Sequence, residues 1–192
     1  MNLSMPEIET ERLYLRGLEE EDLCDLFEYC TMEETMQYLS GPRIDDIDEM
    51  FDLLKTFYLS YQDRMEPQVW CLEEKHTGAV IGHMYFHEMN IDQAEIAYLL
   101  HPSYWKQGYM MEALPSLLSI GFLQFGLQRI VACIAVENSK SRNLVKRLGF
   151  TQKTIIKQAE QLADQQYHDM VLYEILEKDW RMLYEKDIRS KI

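Results

Sequence analysis

Apolar residues recur at two spacings along this chain of 192 residues, every second residue in some stretches and every third or fourth residue in others. Short stretches of alternating or β-branched and aromatic residues, bounded by turn residues, predict strands. These stretches are residues 12–16, 69–74, 79–88, 94–101, 129–136, 150–158 and 167–176. Apolar residues at three- and four-residue spacing predict helices. These lie at residues 20–30, 45–62, 110–126, 139–149 and, as a closing helix, 177–192.

The connections between the predicted elements differ along the chain. The three strands between residues 69 and 101 are joined by the short turn sequences KHTG and MNID, which predicts an antiparallel meander. After residue 101, helices and strands alternate. The length suits one well-cored α/β domain, which we place at residues 1–180 with a helical tail at 181–192.

Composition excludes several classes of protein. The formal net charge of −14 repels nucleic acid and anionic lipid, so we expect neither a nucleic-acid nor a membrane partner. Since no apolar run approaches the length of a membrane span and no basic and apolar leader is present, we expect a cytoplasmic protein. The four cysteines lack metal-ligand spacing, which predicts reduced thiols and no metal site.

The charge is unevenly distributed. Residues 1–64 hold 17 acidic and 5 basic residues, whereas residues 113–159 hold 7 basic residues and one acidic residue. Solvated helix faces explain many such imbalances. The same imbalance fits a molecule in which one half binds a cation and the other half binds a polyanion.

The stretch HPSYWKQGYMMEA, residues 101–113, joins a predicted strand to a predicted helix through Gly108. The first N–H groups of a helix lack partners within it and carry the positive end of its dipole, so they bind anions. A glycine there lets a ligand approach the backbone. A second strand-to-helix junction, VENSKSRNLVKRLGF, carries Asn138, Ser141, Lys146 and Arg147. Two such junctions fit an extended phosphorylated cofactor.

With these motifs the chain resembles the GNAT superfamily of acetyl-coenzyme A dependent N-acetyltransferases, in particular its RimJ/RimL-type branch. The matching stretches are ETERLYLRGLEEEDLCDLF, TGAVIGHMYF, AEIAYLLHPSYWKQGYMMEAL, VENSKSRNLVKRLGF and HDMVLYEILEKDW, and they cover almost the whole chain. The resemblance implies a mixed, mostly antiparallel sheet of about six to seven strands flanked by helices. It also implies a splay between the central strands that holds acetyl-CoA.

The resemblance assigns cofactor-binding residues one by one. It implies that the pantetheine arm lies along Leu99 and Leu100 and that the Asn138 side chain holds an amide of this arm. The pyrophosphate would lie on the N–H groups of Lys106, Gln107, Gly108, Tyr109, Met110 and Met111. Two positions depart from the family pattern, because Trp105 stands where Arg or Gln is frequent and Met110 where Gly or Ala is usual. A long side chain at Met110 could narrow the entrance.

Two residues are candidates for catalysis. Glu95, on the strand that carries the cofactor, is a candidate general base, with a structural carboxylate as the alternative. Many family members carry a tyrosine that protonates the departing thiolate at the position of Val145. Ser141 is the candidate replacement, with a serine bonded to local backbone as the alternative. The oxyanion donor is expected to be a backbone N–H near Leu100.

The acceptor is a primary amine, and we favour the α-amine of a protein or peptide. At pH 7, deprotonating an α-amine costs about 1 kcal/mol and a lysine about 4.6 kcal/mol, so an α-amine needs only a weak base. A polyamine or amino sugar, and a non-catalytic acyl-CoA binding module, are the alternatives. His83, Tyr85 and His87 alternate on one strand face and line either a substrate cleft or an ordinary exposed or half-buried strand face. We expect a monomer or a homodimer.

Overall fold

The computed structural model describes residues 6–40, 44–60 and 69–189, with side chains up to residue 184. Its strands are β1 (Ile8–Glu9), β2 (Leu13–Gly17), β3 (Trp70–Glu74), β4 (Val80–His87), β5 (Gln93–Leu100), β6 (Arg129–Ala135), β7 (Thr151–Gln161) and β8 (Tyr167–Leu176). Its α-helices are α1 (Leu23–Cys30), α2 (Glu33–Met36), α3 (Ile47–Leu53), α4 (Tyr109–Leu123), α5 (Ser139–Arg147) and α6 (Glu177–Arg189).

The strands form one sheet of eight in the order β1-β2-β3-β4-β5-β6-β8-β7. Every neighbouring pair is antiparallel except β5 and β6, which run parallel. The predicted mixed, mostly antiparallel sheet is therefore confirmed. The additional strand, β1, is only two residues long, too short to show alternation in the sequence.

The sheet splays between its two parallel strands. The pairing of β5 with β6 runs from Gln93↔Arg129 to Glu95↔Val131. Beyond Glu95, β5 remains paired with β4 as far as Leu100, and β6 remains paired with β8. One backbone edge of β5 therefore faces an opening in the sheet instead of a neighbouring strand.

Hydrophobic cores cover both faces of the sheet. Ile96 and Leu100 of β5 belong to the larger core, which the sheet shares with α4. Leu99 belongs to a second core, which the sheet shares with α1 and α3. Because successive residues of a strand point to opposite faces, β5 contributes to both cores and to the opening at its edge.

The helices differ in detail from the prediction. The predicted helix at 45–62 is shorter, since α3 gives way to a π-helical turn at Leu54–Tyr58 and residues 61–62 lie outside the described part. The helix α6 crosses the expected domain boundary at residue 180, and Trp180 is 0% exposed in the larger core. None of the described helices is both long and apolar enough to span a bilayer.

Candidate active site

A cleft of about 710 Å³ lies at the splay between β5 and β6. Its walls come from β5, the loop that follows it, the start of α4, β6 and the start of α5. All the residues that the sequence assigned to a site line this cleft: Glu95, Leu99, Leu100, Lys106, Gln107, Gly108, Tyr109, Met110, Met111, Asn138 and Ser141. The fold therefore brings the two strand-to-helix junctions, distant in sequence, to one place.

The loop before α4 is shaped by two left-handed residues. Lys106 has φ 62° and Gly108 has φ 88°, a region that favours glycine. A Cβ atom on Gly108 would meet only the Arg12 Nη2 atom, at 3.5 Å. The left-handed backbone conformation therefore favours glycine here, and lack of room for a side chain does not. Since Gly108 has no side chain to cap α4, the first N–H groups of this helix are available to an anion.

Arg12 and Glu112 brace this loop, and the sequence analysis missed both. The Glu112 carboxylate accepts hydrogen bonds from the Arg12 Nε atom and backbone N at 2.7 Å and from the Thr10 hydroxyl at 2.6 Å. Arg12 Nη1 donates to the Gln107 carbonyl at 3.0 Å, and the guanidinium lies 4.0 Å from the centre of the Tyr109 ring. Partial burial raises the pKa of Glu112, but the bonds from Thr10 and Arg12 leave it below its usual value.

Trp105 joins the loop to β5 and α5. Its indole Nε1 donates to the Leu100 carbonyl at 2.7 Å, and the Lys140 ammonium lies 3.8 Å from the centre of its ring. The departure from the family pattern at this position therefore supplies a structural contact. Met110 also lines the cleft, but it is only 7% exposed and packs in the larger core.

Glu95 lies where the pairing of β5 and β6 ends. Its Oε1 atom accepts the backbone N–H of Cys133 at 3.0 Å and lies 3.7 Å from His87 Nε2. Burial raises the pKa of the Glu95 carboxyl, although His87 and the Cys133 N–H oppose the rise. Glu160 of β7 also lines the cleft and acts electrostatically on Glu95. The sequence did not single out Glu160, because one acid in a polar strand carries no signal.

Asn138 and Ser141 lie at the start of α5. The Asn138 Oδ1 atom accepts the backbone N–H of Ser141 at 3.1 Å, which caps the helix and leaves the amide NH₂ of Asn138 for a ligand. Burial raises the pKa of the Tyr98 hydroxyl, in the same cleft, to about 12, and the Ser141 side chain opposes this rise. Val145 is 0% exposed and belongs to the larger core.

His83, Tyr85 and His87 differ in their surroundings despite their alternation. Tyr85 and His87 line the cleft, whereas His83 is 0% exposed. The His83 Nδ1 atom lies 2.8 Å from the Tyr29 hydroxyl, and Nε2 lies 3.3 Å from the Tyr58 hydroxyl. Burial lowers the pKa of His83 to about 3, so its ring is neutral at physiological pH. The expectation of an exposed or half-buried face is therefore wrong for His83.

No group of three His, Cys, Asp or Glu side chains suited to a metal ion occurs among the residues that the structure describes.

Comparisons with known proteins agree with this geometry. The family model of the acetyltransferase (GNAT) domain matches residues 12–151. The uncharacterized N-acetyltransferase YoaA of Bacillus subtilis is 29% identical over 155 residues, which cover 80% of this chain and 87% of that protein.

Two solved structures share the fold. A GNAT-family acetyltransferase from Bacillus anthracis has a TM-score of 0.79 at 23% identity, covering 90% of this chain and 99% of its own. RimL, the ribosomal L7/L12 α-N-protein acetyltransferase, in complex with coenzyme A, has a TM-score of 0.78 at 23% identity, covering 90% of this chain and 97% of its own. With the family model matching most of the chain, the protein belongs to the GNAT family of acetyl-CoA dependent acetyltransferases.

Proposed function

We propose that this protein transfers an acetyl group from acetyl-CoA to the α-amine of a protein or peptide N-terminus. The observation that carries the proposal is the distribution of charge along the cleft. Lys106, Lys140 and Arg147 line it near the loop and α5, whereas Glu95 and Glu160 line it near β7. A polyanion fits the basic end and an ammonium group fits the acidic end.

The basic end has the features that a nucleotide-bearing donor requires. The backbone N–H groups from Lys106 to Met111 would hold the pyrophosphate, with the ammonium groups of Lys106 and Lys140 nearby. The unpaired edge of β5 and the Asn138 amide would hold the pantetheine arm. Bound acetyl-CoA supplies a thioester, whose carbonyl carbon is open to attack by an amine.

The acidic end suits an amine that needs little help to lose its proton. The Glu95 Oε1 atom is occupied by the Cys133 N–H, which leaves Oε2 for the amine or for an intervening water. Because burial raises its pKa, Glu95 is a stronger base than an exposed glutamate. Glu160 adds a second negative charge that attracts the ammonium form.

Ser141 serves the departing sulfur in this proposal. It lines the cleft in the first turn of α5, and its backbone N–H is already satisfied by Asn138. Its hydroxyl is therefore the group that can donate to the thiolate as the carbon–sulfur bond breaks.

Two observations favour a protein N-terminus as the acceptor. RimL, which has the same fold, carries a name that describes α-N acetylation of a ribosomal protein. The cleft also continues along residues 34–40, which gives room for residues that follow an N-terminal amine. A small polyamine would not need this extension.

Mass spectrometry after incubation with acetyl-CoA tests the proposal on two matched panels, one of peptides and one of small amines. We expect one added acetyl group on the α-amine of peptides and none on a peptide whose N-terminus is blocked. Exclusive acetylation of polyamines or amino sugars would replace the proposed acceptor. Calorimetric binding of coenzyme A without any transfer would favour a binding module.

A further inference from the structure

One part of the cleft wall is apolar. It is formed by a small cluster of residues that pack on one another, three of them buried and two half-buried: Ala135, Leu162, Met170, Cys133 and Tyr38. All members of this apolar cluster except Leu162 line the cleft, as do the carboxylates Glu95 and Glu160. The acidic end of the cleft therefore has apolar surface as well as charge.

Glu95 lies next to the apolar cluster. On β6, Ile134 belongs to the larger core, so Cys133 points to the opposite face of the sheet. On β5, Ala94 and Ile96 belong to the larger core, so Glu95 points to the same face as Cys133. The Cys133 N–H donates to Glu95 Oε1 at 3.0 Å, which brings the carboxylate to this point. An ammonium group held by Glu95 therefore has the apolar cluster beside it.

The segment 37–40 lies across the apolar cluster. An antiparallel bridge between Ser40 and Leu162 ties this segment to the end of β7. Tyr38, two residues earlier, packs against the cluster, and both Tyr38 and Cys133 are half-buried and line the cleft. Because the Cys133 side chain is short, the part of the cleft between Tyr38 and β6 has room for a side chain from a ligand.

We propose that the space between Tyr38 and Cys133 binds the first side chain of the acceptor peptide and selects an apolar one. This inference rests on the proposed function. The α-amine and the first side chain are attached to the same carbon, so an amine at Glu95 places that side chain beside the apolar cluster. An apolar side chain gains by leaving water there, whereas a charged one would lose its hydration without a partner. An acidic side chain would also be repelled by Glu95 and Glu160.

A series of peptides that differ only in their first residue tests the inference. We expect kcat/KM for α-amine acetylation to be about 10- to 100-fold higher with leucine first than with glycine or asparagine first. Leucine and asparagine are close in size, so their comparison isolates polarity. A peptide that begins with aspartate should react most slowly, because its side chain is both charged and repelled. Initial rates followed by mass spectrometry measure these differences.

Two variants of the cleft wall should change this preference in different ways. Cys133→Leu fills the space but keeps the backbone N–H that Glu95 accepts, so the leucine-to-glycine ratio of kcat/KM should fall about 10-fold. Tyr38→Ala enlarges the space, so the tryptophan-to-leucine ratio should rise about 5-fold or more. A ratio between two peptides cancels any loss of folded or donor-bound protein. Cys24→Leu, the same substitution at an exposed cysteine of α1 outside the cleft lining, is the matched control and should leave both ratios unchanged.

The failure of the inference and the failure of the proposed function give different results. Equal kcat/KM for the leucine, asparagine and glycine peptides, or a preference for a charged first residue, overturns the inference while the proposed function stands. The same holds if Cys133→Leu and Tyr38→Ala both keep the wild-type ratios. Absence of α-amine acetylation on every peptide tested overturns the proposed function and the inference with it.

Discussion

Glu95 and Glu160 are two carboxylates of one cleft, but their surroundings differ. The Glu95 side chain is 17% exposed, accepts the Cys133 N–H and lies at the point where β5 leaves β6. Glu160 comes from β7, the strand at one edge of the sheet, and acts on Glu95 as a neighbouring negative charge. Burial and a like charge both raise the pKa of Glu95, which suits it to accept a proton.

Replacing Glu95 by Gln should lower kcat by about 100-fold, the typical contribution of a general base. The glutamine oxygen can still accept the Cys133 N–H, so the splay should be preserved. In the wild-type protein, kcat/KM should fall as pH drops through the raised pKa of Glu95, because the base must be ionised. The pH profile of the wild-type protein and of the variant is the measurement.

Glu160→Gln is the matched variant for this prediction. We expect it to raise the KM for a cationic acceptor more than it lowers kcat, since it removes a neighbouring charge. If it instead abolishes the acidic limb of the pH profile while Glu95→Gln retains it, Glu160 is the base and Glu95 has a structural role.

Single residues also mark the limit of prediction from the sequence. Ser141 could be predicted because it follows Asn138 by one helical turn in a recognisable motif. Arg12 could not, since its contact with Glu112 joins residues far apart in the chain. Only the fold brings these partners together, and no local pattern records the contact.

At the scale of elements, the loop before α4 depends on a segment almost 100 residues earlier. Arg12 precedes β2, yet it bonds to Glu112 inside α4 and to the Gln107 carbonyl in the loop. The loop also holds Lys106 and Gly108 in the left-handed region, a conformation that for Lys106 is unfavourable without support. The brace therefore stabilises the backbone that is proposed to bind pyrophosphate.

Arg12→Ala should weaken coenzyme A binding about 5- to 20-fold, because the loop loses its charged hydrogen bonds and must be ordered on binding. Isothermal calorimetry measures the change. Arg181→Ala is the control, since Arg181 forms an exposed ion pair with Glu177 within α6 and should leave the affinity unchanged. An Arg12→Ala variant with wild-type affinity would show that the loop holds its shape without the brace.

His83 links elements of the other face of the sheet. It lies on β4 and contacts Tyr29 of α1 and Tyr58 of the π-helical turn, all in a buried cluster. The sequence predicted a helix through this turn, because three- and four-residue spacing does not reveal an inserted π-helical residue. Burial holds the ring neutral in the folded protein, because protonation would leave a buried charge.

The folded protein should therefore lose stability as pH falls from 6.5 toward 3. Burial lowers the pKa of His83 from 6.5 to about 3, so in this window the unfolded chain binds the proton and the folded protein does not. One such group contributes at most about 1.4 kcal/mol per pH unit. Chemical unfolding should show that the free energy of unfolding falls more steeply from pH 6 to pH 4 for the wild-type protein than for His83→Gln. An equal pH dependence of this free energy in the two proteins would mean that His83 titrates normally.

At the scale of the whole molecule, the antiparallel meander and the splay between the central strands were predicted, but the strand order and the extent of the splay were not. The alternation of β3, β4 and β5 with short turns predicts the meander. The resemblance implied a splay at Leu99 and Leu100, but the residue after which β5 leaves β6, Glu95, was not predictable from the pattern, because Ile96, Leu99 and Leu100 are as apolar as any paired strand residues. The opening is a property of the assembled sheet, and the cleft exists only once both cores have formed.

The net charge of −14 creates a negative field around the whole molecule, which has opposite effects on a cationic acceptor and on a polyanionic donor. It attracts a cationic acceptor, while the polyanionic donor depends on the local basic groups Lys106, Lys140 and Arg147. Because the Debye length falls from about 10 Å at 0.1 M salt to about 3 Å at 1 M, added salt screens this long-range attraction. The KM for a lysine-rich peptide acceptor should rise with salt, whereas the KM for a neutral peptide with the same N-terminal residue should change much less. Initial rates for the two peptides across this salt range, at saturating acetyl-CoA, make the comparison, and parallel changes would show that the acidic field does not steer the acceptor.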